Sequence, residues 1–196
     1  MTLVALLLPG GWPDGRARAA EESLFITRPL TAGDSFTTGI EGPACDARGN
    51  IYAVNFDRQQ TIGRVTPDGK GEVFVALPGN STGNGIVIVR DGTLFVADYV
   101  GHNILRLDPK SRAVSVFAHD NRMNQPNDLA IAPDGTLYAS DPAWKKSNGQ
   151  LWRITKDGRT HREEADMGTT NGIEVSPDGR TLYVNESVQR NVWAYD

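Results

Sequence analysis

From residue 41 onward the chain repeats itself. Four segments align: EGPACDARGNIYAVNF from Glu41, NGIVIVRDGTLFVADY from Asn84, NDLAIAPDGTLYASDP from Asn127 and NGIEVSPDGRTLYVNE from Asn171. Their starts are spaced by 43, 43 and 44 residues. A fixed period of this length marks a repeat architecture, in which each unit buries its apolar surface against its neighbours. Within each segment an apolar strand, a turn and a second strand follow one another. Asp91-Gly92, Asp134-Gly135 and Asp178-Gly179 are hairpin turns, and Arg48-Gly49 fills the same place. Glycine supplies the positive φ these turns require. A second hairpin follows each of the first three segments, from Ile62, Asn103 and Gln150, and NVWAYD (191–196) matches the opening of that second hairpin.

Four antiparallel strands in about 43 residues is the size of a propeller blade. The period and the lack of 3.6-residue periodicity exclude a helical or leucine-rich solenoid. The fold expected is all-β, a β-propeller over residues 36–196 with blades starting near 41, 84, 127 and 171, about 3.75 blades in all.

Ahead of it, residues 3–8 (LVALLL) form an apolar run too short to span a bilayer, and Ala17 and Ala19 stand in an A-x-A relation. Residues 1–19 therefore read as a secretory signal peptide, although no Lys or Arg precedes the apolar run, and 20–35 as a linker. The expected location is periplasmic or secreted, with no membrane association after cleavage. The net charge of −4 offers no phosphate-neutralising surface, so no nucleic-acid partner is expected. The single cysteine, Cys45, rules out an intramolecular disulfide and is expected in the core.

Propeller geometry puts the Asp-Gly hairpins on one face, where backbone chemistry accounts for them fully. The starts of the innermost strands gather on the other face, around the channel mouth. Glu41, Asn84, Asn127 and Asn171 meet there, and Asn55, Asp98, Asp141 and Asn185 end the second strands nearby. His102, His119 and Trp144 lie in loops on this side. One carboxylate and several carboxamides near one axis are hard oxygen donors. They favour Ca2+, then Mg2+, over the softer preference of Zn2+, and the competing explanation is ordinary loop chemistry of Asn before a strand. His102 and His119 have the chemistry of general bases, Asp98 and Asp141 of carboxylates that orient the amides. Trp152 and Trp193 read as packing between blades. No nucleophile elbow, phosphate-binding loop or H-E-x-x-H motif is present.

From about Phe36 to the end, the chain resembles the senescence-marker/regucalcin–gluconolactonase family of six-bladed propellers. The resemblance is carried by Glu41-Gly42-Pro43, by PNDLAIAPDG from Pro126 and by NGIEVSPDGRTLYVNES from Asn171. It implies an axial divalent metal, usually Ca2+, with Mg2+ or Zn2+ as alternatives, held by Glu41 and Asn171, with Asn127 as ligand or substrate-positioning amide. Asn127, Asn84, Asp141 and Trp144 are then the expected substrate-binding residues. The implied activity is hydrolysis of a sugar lactone or another small lactone; a non-catalytic extracytoplasmic binding propeller is the alternative. The family's further Asp ligand, its proposed base, comes from the blade after the Asn171 repeat and is expected beyond residue 196. Six blades need roughly 260 residues, so the chain reads as a fragment of such a ring.

Overall fold

A computed structural model describes residues 27–196, in which every regular element is a strand. The expected signal peptide (1–19) lies outside the described residues, as does part of the linker. In the first blade the strands are β1 (Ala44–Cys45), β2 (Ile51–Val54), β3 (Thr61–Val65) and β4 (Gly71–Ala76). The second contains β5 (Gly83–Ile88), β6 (Leu94–Asp98), β7 (Asn103–Leu107) and β8 (Val114–His119). The third contains β9 (Leu129–Ile131), β10 (Leu137–Asp141), β11 (Gly149–Ile154) and β12 (Thr160–Met167). The fourth has three strands, β13 (Thr170–Val175), β14 (Leu182–Glu186) and β15 (Asn191–Tyr195). Each sheet is an antiparallel meander in chain order.

The turn glycines Gly49, Gly92, Gly135 and Gly179 all adopt positive φ, between 72° and 90°. The fourth turn differs in length. A backbone bond from Ala132 N to Thr136 O closes the third blade's turn, whereas Ser176 N reaches Thr181 O in the fourth. The extra residue, in SPDGRT, moves everything after it in that blade by one position.

Cohesion comes from the spaces between sheets. One cluster joins the first two blades through Val54, Ile62, Leu94, Val96 and Leu105. A second joins blades two and three around Ala97, Ile104, Met123 and Trp152, and a third packs Leu151 against Ile173 and Val184. Trp152 is fully buried and donates its indole N–H to Asp141 at 3.0 Å. Trp193, at the matching place in the fourth blade, is 47% exposed; no described strand pairs beyond β15 to cover it. Cys45 is exposed rather than in the core. Its counterparts Ile88, Ile131 and Val175 pack on a preceding sheet, and among the described residues none precedes the first. Ser35–Gly39 lies along its own blade, with Thr37 N bonded to Asn55 O at 2.9 Å.

The Asp120 carboxylate ties the end of the second blade to the outer strand of the third. Asp120 accepts two bonds from the Arg122 guanidinium, at 2.7 and 2.9 Å, and one from Thr160 Oγ1 at 3.0 Å. The Arg122 guanidinium also lies over the Trp152 ring. These bonds, those from Arg122 first, hold the Asp120 carboxyl well below the ordinary carboxylate range. A depressed pKa gives stability that is fully present above the unfolded value, near 4, and is lost progressively as pH falls from there through the folded value. Asp120→Asn is expected to cost on the order of 1 kcal/mol at pH 7, and urea melts from pH 7 to pH 3 should show the deficit closing below about pH 4.

Candidate functional site

The four inner strands bring their N-terminal ends side by side, in blade order. The backbone does this before any side chain takes part. Gly42 has φ +59°, and a methyl group there would overlap the Asn84 carbonyl. Gly85 N donates to Asn127 O at 2.7 Å. A Cβ on Gly85 would stand 2.7 Å from the Asp128 Cα. Neighbouring blades thus touch main chain to main chain at the mouth. That contact sets the spacing of Glu41, Asn84 and Asn127, each adjoining one of these close-packed positions.

These three side chains make no hydrogen bond among the described residues, and Glu41 is exposed. Asn127 is largely buried, at 7% exposure, with its backbone N–H bonded to Ser140 O. Asn171 is oriented by its own blade: its Nδ2 donates to Ser187 Oγ at 2.9 Å, which leaves the amide oxygen free to accept. The mouth therefore presents one carboxylate and three amides, with no sulfur or imidazole among them. That donor set fits Ca2+ or Mg2+ in kind and does not fit the nitrogen and sulfur preference of Zn2+. Among the described residues no three His, Cys, Asp or Glu side chains cluster closely enough to hold a cation by themselves.

The ends of the second strands do different work. Asp98 accepts from Ser81 Oγ, Thr82 N, Gly101 N and Asn103 Nδ2, all within 3.0 Å. Asp141 accepts from Asn124 N, Gln125 N and Trp152 Nε1. Both are fully buried. Burial pushes the Asp141 carboxyl up, and the N–H donors pull against it. Asp141, expected to bind substrate, instead fastens the segment that leads from the second blade into the third. The fourth blade places Glu186 at this position, not Asn185, because of its longer turn. Glu186 accepts from Asn191 Nδ2 at 3.2 Å and from Gly168 N.

Trp144 stands 37% exposed on the same face. Gln125 steadies its loop, accepting from Trp144 N at 3.1 Å while donating to the Tyr99 hydroxyl at 2.8 Å. His119 ends the outermost strand of its blade, and both ring nitrogens are engaged, with Asn103 and Asn121. It sits away from the inner strands. His102 lies close enough to Asp141 for its charge to favour the ionised carboxyl.

Sequence reasoning missed Asp128. Its carboxylate accepts from Leu129 N at 2.9 Å and from Ile173 N, in the next blade, at 3.3 Å. Burial first, and then the charges of Glu174 and Glu41, push its carboxyl up. A signal was available: the other three repeats have glycine there, at Gly42, Gly85 and Gly172.

Radial antiparallel sheets whose inner ends form an oxygen-rich mouth define a β-propeller with a polar axial site. The chain belongs to the SMP-30/gluconolactonase/LRE-like family, whose model matches residues 39–196. It is 28% identical over 199 residues to a gluconolactonase of Zymomonas mobilis, covering 88% of this chain and 56% of that protein. A gluconolactonase structure from Xanthomonas campestris superposes with a TM-score of 0.69 at 24% identity, covering 82% of this chain and 59% of that one. Regucalcin of Agrobacterium tumefaciens, described as calcium-binding, superposes with a TM-score of 0.68 at 22% identity, covering 82% and 55%. At these identities the two structures speak to the fold. The chain spans a little over half the length of each of these relatives.

The close approach at Gly85 can be tested directly. Gly85→Ala is expected to destabilise the protein by more than about 2 kcal/mol in urea melts, because the new methyl meets backbone that cannot yield.

Proposed function

We propose that the protein carrying these blades is a divalent-cation-dependent lactonase acting on a sugar lactone or another small lactone. The observation that carries this reading is Glu41. It is the single carboxylate at a position where the other three repeats have Asn, it is exposed at the mouth, and no described residue pairs with it. Family membership and the relatives called gluconolactonases support the same reading.

Glu41, Asn127 and Asn171 would hold the cation, with Ca2+ preferred for oxygen donors of this kind. When bound, such an ion supplies Lewis-acid polarisation of an ester carbonyl. The chain's own contribution is orientation. Ser187 turns the Asn171 amide so that its oxygen is the free end. Ser140 brackets Asn127 through the backbone. Asn84 provides a further unpaired amide for lactone hydroxyls, and Trp144 offers an apolar ring face beside the mouth. We further propose that the protein acts outside the cytoplasm, on the strength of the N-terminal apolar run and the A-x-A pattern.

The test follows hydrolysis of glucono-1,5-lactone and a panel of small lactones in a pH-stat. Chelation should abolish turnover and Ca2+ should restore it. Glu41→Gln should lower kcat/KM by at least a hundredfold and weaken Ca2+ binding in calorimetric titration. Chelator-resistant turnover, or no turnover across the panel, would overturn the proposal. A protein that binds Ca2+ but turns over no lactone would point instead to a binding propeller.

A further inference from the structure

Three of the four repeats follow their mouth residue with glycine, which lets the next blade's backbone come close. The third repeat breaks this pattern with Asp128. Two observations show what the carboxylate does. It reaches across the blade boundary to the N–H of Ile173, two residues after Asn171. On its own blade it is held firmly: Asp128 N donates to Ser140 Oγ at 3.0 Å, and Ser140 N donates to Asp128 O at 3.1 Å. At the preceding boundary a direct backbone bond does this work, from Gly85 N to Asn127 O. Between the third and fourth blades side chains replace it: the Asp128 carboxylate, and beside it Thr170 Oγ1, which accepts from Asp141 N at 3.1 Å and donates to Gln150 O at 3.2 Å.

We infer that Asp128 is a positioning residue that fixes Asn171 relative to Asn127, and with it the separation of the two amide oxygens at the mouth. The inference rests on the metal-binding reading for its functional consequence, and on the bond to Ile173 for its structural content. Three features favour it. Asp128 adjoins Asn127 in sequence and bonds Ile173 N in β13, two residues after Asn171, so it links the strand carrying Asn171 directly to the residue beside Asn127, whereas the Thr170 hydroxyl ties that strand to Asp141 and Gln150. No Lys or Arg pairs with its carboxylate among the described residues. Both carboxylate oxygens are taken up by backbone N–H groups, of Leu129 on its own blade and Ile173 on the next. A carboxylate is a costly choice for a purely structural tie, because burial penalises it and a backbone bond serves at the previous boundary.

Asp128→Ala removes the tie, and Asp128→Asn keeps an acceptor for Ile173 N while removing the charge. Without metal, hydrogen exchange at the Ile173 amide should speed up at least tenfold in the Ala variant and stay within threefold in the Asn variant. The side-chain NH2 resonances of Asn127 and Asn171 should shift in the Ala variant and hold their places in the Asn variant. In Ca2+ and Tb3+ titrations, Kd should rise at least tenfold for Ala and less for Asn. Should the Ala variant fail to melt cooperatively, Asp128→Ser, too short to reach Ile173, takes its place. Unchanged Ile173 exchange would overturn the inference. So would faster exchange with an unchanged Kd, which would make Asp128 a brace for the blades alone. A wild type that takes up no cation would sink the metal reading; the inference would then stand on movement of the two Asn resonances in the Ala variant and fall without it.

Discussion

Main chain packed against main chain at the channel mouth is the contact on which the rest of this structure depends. Blades in a propeller are wedges: their outer strands diverge while their inner strands crowd together. Where Gly42 faces Asn84 and Gly85 faces Asn127, no side chain fits between. The missing Cβ atoms let consecutive blades close up, so that the clusters around Val96, Trp152 and Val184 form farther out. The same closeness delivers Glu41 and the three Asn residues to one place. Fold cohesion and site assembly are thus one geometric fact, and a change at these glycines would disturb both.

A second layer of control lies at the ends of the second strands. Asp98, Asp141 and Glu186 each bind backbone N–H groups of the segment that leads from one blade into the next. Charge-assisted bonds of this kind are short and strong, and in a buried setting the partnered carboxylate costs less than its burial alone would suggest. They set where each inner strand begins. The two rings of polar residues divide the labour. The outer ring spends its hydrogen-bonding capacity within the protein, whereas among the described residues the Glu41, Asn84 and Asn127 side chains and the Asn171 amide oxygen keep theirs unspent.

The fold was legible because a repeat is a redundant message. Four copies of strand, glycine turn and strand, at nearly constant spacing, leave little room for another architecture, and the positive φ at all four turn glycines follows from that pattern. The mouth residues were legible for the same reason, since the period alone aligns Glu41 with the three Asn residues. What the sequence hid was local. One extra residue in the fourth turn moved Glu186 into the place expected for Asn185. Asp141 looked available because its row of strand ends lies near the mouth, whereas its bonds to Asn124, Gln125 and Trp152 depend on a loop path that periodicity does not describe. Cys45 and Trp193 were misjudged because a repeat pattern predicts what faces a neighbouring blade without saying whether one is there.

Asp128 shows where deviation from a repeat carries more information than conformity to it. A glycine at that position satisfies packing, and three of four repeats have it. Replacing it with a carboxylate brings a buried charge near two others of the same sign, an arrangement that costs stability unless something offsets it. The N–H groups of Leu129 and Ile173 offset part of that cost. On the proposed metal-binding reading, uptake of a cation by Asn127 and Asn171 would be coupled through the Asp128–Ile173 bond to the register between the third and fourth blades.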